Sequence, residues 1–275
     1  MVRIAGFIKV NALLSCLTGL RIGGTPGGTE IGGVENVVIK DPFTQEPYIP
    51  GSSLKGAMRS KYELYRDLPL STKLKMSIHL CDNIDCDVCI VFGRQPELVE
   101  KQQSQESGEV QNILSLTRLR VSDSYATDQT RNRWRVFGSI EVKGENALDR
   151  LTSKANPRWV ERIPKDSEFE VNMSYLVFDG EGNNGKRDVE RFKIVFEAMK
   201  LVEEDYLGGY GSRGYGRIKF KNIVFKVISP NHFSNPKDGV MKIPAEGYYE
   251  TVDDVLTNIE DVKSQIMQFL KINSK

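Results

Sequence analysis

Four residues between positions 79 and 89 carry the densest chemistry in the chain. His79, Cys81, Cys86 and Cys89 follow the spacing H-x-C-x4-C-x2-C and take in three of the four cysteines. Thiolates and an imidazole this close together can close a tetrahedral zinc site in one loop, and four protein ligands leave no open position, so such a site is structural. Free thiols, or a redox Cys-x-x-Cys pair, are the other readings, although no thioredoxin-like βαβ pattern precedes the cluster. A second chemistry is phosphate binding. Gly209-Tyr210-Gly211-Ser212-Arg213-Gly214 fits G-x-G-x-x-G, but a dinucleotide site needs a strand before it and a helix after it. Here the helical period precedes and strand alternation follows. What remains is a glycine loop carrying Arg213 between Tyr210 and Tyr215, which suits single-stranded nucleic acid; the plainer reading is a tight turn. Lys55 and Arg59, four apart, share a helix face. A cation in the first turn opposes the helix dipole, so Lys55 either faces a bound anion or is an exposed lysine at small cost.

Catalytic side chains are few. The chain has two histidines, and with His79 taken as a ligand no pair remains for a two-histidine ribonuclease site. There is no G-x-S-x-G and no Walker A sequence. Carboxylates remain: Glu30, Glu35 and Asp41 lie in or beside a glycine-rich stretch. An acid on a loop that touches RNA can hold a divalent metal or help activate a 2′-hydroxyl.

Composition bounds what these residues can serve. In 275 residues there are 38 Lys and Arg against 37 Asp and Glu, a net charge of +1, with 39% hydrophobic residues. That balance excludes a strongly basic polymer binder and global disorder. No apolar run reaches the length of a membrane span, and Met1–Lys9 has no signal-peptide core; a cytoplasmic location is expected. The charge is uneven: Thr117 to Arg162 holds ten bases and six acids, and Ala245 to Val262 six acids and no base. Of the 24 glycines, seven fall between Gly19 and Gly33 and five between Gly208 and Gly216. Such clusters mark tight turns or close approach of backbone to a ligand.

Alternation predicts a strand over 1–17, a short strand over 36–40, and a helix to about Asp67 capped by Ser52 or Ser53. Strands are expected at 116–121, 136–143, 169–177 and 217–228, with a polar, Arg-rich stretch over 125–134. Arg94 to Asn112 is expected to be a loop. A second helix is expected over 189–202. Thr251 to Ile272 reads as a further amphipathic helix, with Thr251 and Asp254 as its capping box. Strand, helix, strands, helix, strand is the βαββαβ order of a ferredoxin-like α+β unit with insertions.

These segments also resemble a known family. Ile39-Lys40-Asp41-Pro42, Ile49-Pro50-Gly51-Ser52-Ser53-Leu54-Lys55-Gly56, and Asp205 to Gly216 look like the RAMP proteins of CRISPR effector complexes. Glu141-Val142-Lys143, Asn146 to Arg150 and Ala155-Asn156-Pro157-Arg158 point to the backbone subunit of the Csm (type III-A or related) complex, part of whose family carries such a cysteine cluster followed by Val91-Phe92-Gly93. The resemblance implies a ferredoxin-like (RRM-like) core over 1–228, with a zinc-binding insertion at 72–112, a thumb-like hairpin within about 122–165, either the 125–134 stretch or the 156–163 region, and a C-terminal extension over 229–275. It implies RNA contacts from Lys55, Arg59, Gly209, Gly211, Ser212, Arg213, Gly214, Arg133 and Arg158. The implied partners are CRISPR RNA, target RNA, further copies in a filament and other Csm-type subunits. It also implies target cleavage every six nucleotides by a loop acid with Mg or Mn. Counted back from Ile39, the family's catalytic Asp falls on Glu35, one methylene longer. An endoribonuclease and a purely structural RNA-binding backbone both fit, and a small zinc-stabilised scaffold is a third reading that the glycine loops argue against. Trp134 and Trp159 either stack on bases or lie in the core.

Overall fold

The computed structural model describes residues 3–24, 36–71, 77–81, 83, 85–94, 116–180, 183–235 and 238–272. In chain order the elements begin β1 (Arg3–Cys16), α1 (Gly51–Tyr65), β2 (Leu70–Ser71), β3 (Ile78–His79), α2 (Asp87–Phe92), β4 (Leu119–Val121), β5 (Tyr125–Ala126) and α3 (Asp128–Phe137). They continue with β6 (Glu141–Leu148), β7 (Ala155–Arg162), β8 (Glu168–Gly180), β9 (Asn183–Asn184), α4 (Lys186–Arg191) and α5 (Lys193–Glu204). Last come β10 (Ile218–Ile228), α6 (Asn231–Ser234), β11 (Val240–Ile243), α7 (Val252–Thr257) and α8 (Ile259–Phe269).

β1 is the axis. Its inward residues Ile8, Val10, Leu14 and Cys16 are fully buried, and the residues between them point to the other face, as strand alternation requires. β8 and β10 flank it, both antiparallel, and the sheet reads β11-β10-β1-β8-β4. Helices cover one face of the sheet. α1 contributes Leu54, Met58 and Tyr62, and α5 contributes Val195, Phe196, Met199 and Val202. Phe192, Phe196 and Phe225 meet edge-to-face at 5.1 to 5.7 Å, geometry that adds about 0.5–1.5 kcal/mol per pair beyond burial. Where β4, β8 and α4 meet, Arg118 and Asp188 form a fully buried ion pair at 3.0 Å.

Several expected elements differ. The helix starts at Gly51 without a serine cap; instead the Gly51 N–H donates to Asp123 Oδ1 at 2.7 Å. The cap thus comes from a loop 72 residues away, which no local pattern signals. The expected strand over 36–40 consists of isolated bridges at Asn36, Val38 and Lys40. The expected strand over 136–143 is wrong at its start. Thr127 caps α3 by accepting from the Thr130 N–H, and Val136 and Phe137 end that helix exposed, at 73% and 83%. An apolar pair at a helix end imitates the start of a strand. The helix expected over 189–202 is two, α4 and α5. The C-terminal helix breaks at Asn258, but its capping box between Thr251 and Asp254 is present. The 229–272 segment joins the body: β11 pairs with β10, and Val252, Val255, Ile259, Val262 and Ile266 are buried in the same core. The 95–112 part of the expected loop lies outside the described residues. No helix among the described residues is long and apolar enough to cross a membrane.

Because one carboxylate caps α1, Asp123→Ala should destabilise the protein by about 1 kcal/mol, lowering the thermal midpoint by a few degrees. Ser52→Ala and Ser53→Ala should each stay within about 0.5 kcal/mol of the parent chain. Differential scanning calorimetry checks both.

Candidate RNA interface and metal centre

The glycine loop is shaped by what it touches. It leaves α5 through Asp205 and Tyr206 and makes one 3-10 turn at Gly211–Arg213. Its backbone then lies against the chain just beyond β1: the Gly209 N–H donates to the Arg21 carbonyl at 2.8 Å, and the Gly216 N–H to the Gly19 carbonyl at 3.0 Å. Gly208 has φ +79, and a Cβ there would collide with the Arg21 carbonyl oxygen. At Gly211 a Cβ would enter the ring of Tyr206. At Gly208, where the clash is with backbone, any side chain forces the loop away.

β6 and β7 form a separate two-stranded hairpin. Alternation places Lys143, Glu145, Arg158 and Arg162 on one of its faces. That face meets the glycine loop. The guanidinium groups of Arg21, Arg213 and Arg158 lie 4.8, 5.1 and 5.6 Å from the Tyr210 ring centre. Lys143 and Arg162 lie 4.7 and 5.2 Å from that of Tyr215. Five cations thus surround two tyrosines, with two counter-charges: Arg158 reaches Glu145 at 2.8 Å and Arg213 at 3.7 Å, and Arg162 reaches Glu141 at 2.6 Å. Burial works against ionisation of Glu145, but hydrogen bonds from Arg158 and Tyr215 and the charges of Arg158 and Arg213 hold its pKa below the usual carboxylate range. Arg21 Nε is buried without a hydrogen bond, while the Tyr215 hydroxyl interacts with the Glu145 carboxylate, whose Oε1 also lies 4.0 Å from Lys143 Nζ. A buried polar atom without a partner costs about 1–3 kcal/mol.

The first glycine-rich stretch opens and closes here. The Gly24 N–H donates to the Val37 carbonyl at 3.1 Å, and Asn36 Oδ1 accepts from Arg21 and from the Tyr210 hydroxyl, at 3.3 and 3.2 Å. Glu30 and Glu35 lie outside the described residues; Glu35 is the residue before Asn36. Asp41 caps its own turn, accepting from the Phe43 and Thr44 N–H groups.

The other expected contacts separate. Lys55 is half-buried and makes no ion pair among the described residues; burial first, then the charges of Arg59 and Arg120, bring its pKa down to about 8. Arg59 does not share that outward role. It turns inward to Glu63 at 2.6 Å and donates to the carbonyls of Gly93 and His79 at 2.9 and 2.8 Å, so it braces the cysteine loop against α1. Arg133 is on α3 rather than on a hairpin and donates to the Asp166 carbonyl at 2.7 Å. Trp134 is core, 5.9 Å from Phe169, with its indole N–H on Ser167. Trp159 lies on the hairpin, 59% exposed. Sequence reading missed Arg21, Lys143, Glu145 and Arg162. The signal for Lys143 and Glu145 was charge at every second residue over 141–145, hidden while 136–143 was read as the strand; Arg21, beside the first glycine-rich stretch, and Arg162 carried no such signal.

His79, Cys81, Cys86 and Cys89 do come together: their ligand atoms all lie within 4.8 Å of one another. Cys81 Sγ is 3.7 Å from Cys89 Sγ, and Cys86 Sγ 3.4 Å from His79 Nε2. His79 Nδ1 is 2.9 Å from the Pro69 carbonyl, which leaves Nε2 as the ligand atom. The Cys89 thiol and backbone N–H, with His79, hold the Cys86 thiol down to about 4 against the effect of burial. The hydrogen bond to Cys86 and burial push Cys89 up, and burial does the same to Cys81. A metal ion bound by these three thiols would displace their protons. Asp87 and Asp85 tie the loop to α4 through Arg191 at 2.7 Å and Arg187 at 3.1 Å.

Elemental analysis should find one metal ion per chain, lost in Cys86→Ser and in Cys89→Ser. The loop is braced on α1 and α4 and contributes no strand to the main sheet, so metal removal should speed hydrogen exchange around Ile78–Phe92 and leave β1, β8 and β10 protected. A metal-free chain with full protection in that loop would overturn the assignment.

Comparison with known proteins follows the same geometry. The model of the RAMP superfamily matches residues 13–219. The CRISPR system Cms endoribonuclease Csm3 of Methanothermobacter thermautotrophicus is 38% identical over 259 residues, covering 91% of this chain and 97% of the relative. The protein of the same name from Streptococcus thermophilus is 34% identical over 227 residues, covering 82% and 92%. The crystal structure of Methanopyrus kandleri Csm3 has the same fold, with a TM-score of 0.62 at 22% identity over 95% of this chain and 98% of that one. The Csm3–Csm4 subcomplex of a type III-A interference complex gives 0.58 at 24% identity, covering 94% and 97%. A glycine loop seated on the end of β1, a cationic hairpin facing it and these relatives agree: the chain belongs to the RAMP superfamily, in its Csm3 family.

Proposed function

We propose that this chain is a backbone subunit of a type III CRISPR effector complex, an endoribonuclease that holds CRISPR RNA and cuts complementary target RNA. The observation that carries this reading is the cluster between the glycine loop and the β6–β7 hairpin: five cations on two tyrosines, more cations than the acids Glu141 and Glu145 beside them. Phosphate oxygens meet the arginines, and bases stack on exposed aromatic rings such as Trp159. The names of the relatives supply the cleavage. The strand order β10-β1-β8-β4 supports a ferredoxin-like core, carrying the cysteine loop and the hairpin as insertions in the 1–228 unit and followed by the 229–275 extension. The β6–β7 hairpin, rather than the 125–134 stretch, is the thumb. Further copies of the chain stack along the guide beside other Csm-type subunits, with one cut in every six nucleotides.

Zinc suits the cysteine loop. Tetrahedral sulfurs about 2.3 Å from zinc lie about 3.8 Å apart, and a sulfur–nitrogen edge is about 3.5 Å; the corresponding distances are 3.7 and 3.4 Å.

For cleavage, Glu35 is the acid. Its carboxylate takes the proton of the attacking 2′-hydroxyl, while Arg158 and Arg213 neutralise charge building on the phosphate. Mg or Mn, held by such an acid, would supply Lewis-acid stabilisation of the leaving oxygen. Glu35→Ala should abolish cuts in the assembled complex and leave target binding intact, because it removes transition-state stabilisation only. Glu35→Asp raises the rate if the extra methylene misplaces the carboxylate and lowers it if not. Metal-dependent cutting unchanged in Glu35→Ala would show that the catalyst is another acid.

For binding, Arg158→Ala and Arg213→Ala should weaken guide RNA of any sequence and reduce the salt slope by about 0.7 each. Lys55 adds a pH dependence. Its folded pKa, lowered to about 8, rises when a phosphate sits beside it, so guide affinity falls as pH rises through about 8. Lys55→Arg, which stays charged, should flatten that fall in a titration of affinity against pH.

A further inference from the structure

Among the described residues α1 and α5 cover one face of the main sheet; the other, which α6 touches only through Phe233 on Phe7, carries a row of cations. The strand registers set Arg120 of β4 opposite Ser174 of β8, Ser174 opposite Lys9 of β1, Lys9 opposite Lys226 of β10, and Lys226 opposite Lys242 of β11. Directly paired residues share a face, so four cations stand in one line across five strands. With strands about 4.8 Å apart the line runs about 19 Å. All four side chains are exposed. Lys9 donates to Ser174 Oγ at 3.1 Å, and none of the four makes an ion pair among the described residues. Elsewhere on this face charges do pair, as in Lys221 with Glu168 at 3.8 Å.

Like charges directly opposite one another across strands are destabilising, and Lys9, Lys226 and Lys242 occupy three successive strands. An anion laid along the row removes that repulsion. The surroundings fit a nucleic acid. On one side of the row Asn11 and Asn172 form an amide pair at 2.5 Å. On the other, Phe7 meets the 70% exposed Phe233 at 6.0 Å. Amides can reach base edges and rings can stack on bases. The β4 end of the row adjoins α1, since the charge of Arg120 is felt at Lys55.

We propose that the face of the sheet opposite α1 and α5 is a second RNA-binding surface, on which Arg120, Lys9, Lys226 and Lys242 follow the phosphates of a single strand. It is separate from the glycine-loop cluster and does not depend on the function assigned to that cluster. Its occupant is a single-stranded RNA segment held through its backbone and so without strong sequence preference.

The test uses the full chain, a fluorescent oligouridylate, and the triple variant Lys9→Ala/Lys226→Ala/Lys242→Ala in two backgrounds, otherwise unchanged and Arg158→Ala/Arg213→Ala. Affinity is measured across salt concentrations. Loss of three phosphate contacts on single-stranded RNA should lower the slope of log affinity against log salt by about 2 in both backgrounds, and the corresponding triple Arg variant should restore it. An unchanged slope in both backgrounds overturns the proposal, whatever the Arg158 and Arg213 changes do. A lowered slope beside normal binding by Arg158→Ala/Arg213→Ala upholds this surface and sinks the glycine-loop cluster instead. Lysine acetylation gives a readout independent of affinity: saturating oligouridylate should protect Lys226 and Lys242, and equal labelling with and without it counts against the surface. If the triple variant keeps the slope but changes its sedimentation, the row is a contact between copies of the chain, and the RNA proposal falls.

Discussion

The candidate RNA interface depends on one close approach, that of the glycine loop to the chain leaving β1. Between Gly19 and Arg21 this short run accepts from Gly209 and Gly216 and pairs through Leu20 with Ile163 at the end of the hairpin. Arg21 also sets its guanidinium on Tyr210. Hairpin, glycine loop and the two ends of the first glycine-rich stretch therefore meet on three residues of backbone. That backbone is held in turn by β1, which is paired along both edges. Glycine is required at Gly208 because the loop otherwise cannot come close enough for its N–H groups to reach those carbonyls.

A second dependence runs through α1. Its start is capped by Asp123, its inner stripe packs on the sheet, and its middle turn grips the cysteine loop. Glu63 accepts from the His79 N–H at 3.2 Å while Arg59 donates to the His79 carbonyl. The same half of the helix reaches the root of the glycine loop, where Lys61 pairs with Asp205 and lies 4.5 Å from the Tyr206 ring centre. One helix thus ties the cysteine loop to the glycine loop, and the buried Arg59–Glu63 pair holds more firmly than the exposed Lys61–Asp205 pair.

Charge is partitioned by surface rather than by sequence block. The net charge of +1 conceals two places where cations outnumber their partners, the hairpin–loop cluster and the row across the open sheet face. Much of the acidic C-terminal stretch is used in local pairing: Asp253 holds Lys200 at 2.6 Å, and Glu260 holds Lys263 at 2.8 Å. A field that attracts a polyanion needs only local excess, because beyond about 10 Å salt screens exposed charges.

Elements governed by short-range periodicity were legible in the sequence. The alternation of Ile8, Val10, Ala12 and Leu14, the helical stripe of Leu54 and Met58, the Thr251–Asp254 capping box and the close spacing of His79 with the three cysteines are local signals, and local sterics and hydrogen bonding enforce them. What only the tertiary structure decided were relations between distant residues. Asp123 rather than a serine caps α1, Arg59 faces the metal loop rather than an anion, and Trp134 enters the core while Trp159 stays on the hairpin. The cation row exists only because separate strands align in register. The α3 helix was not read, since exposed Val136 and Phe137 follow strand-like alternation while Thr127 and buried Trp134 commit the segment to a helix; a hairpin was expected within 122–165, but its strands were not told apart. Periodicity records which face of an element is apolar, but which partner that face meets depends on chain crossings that no local pattern contains.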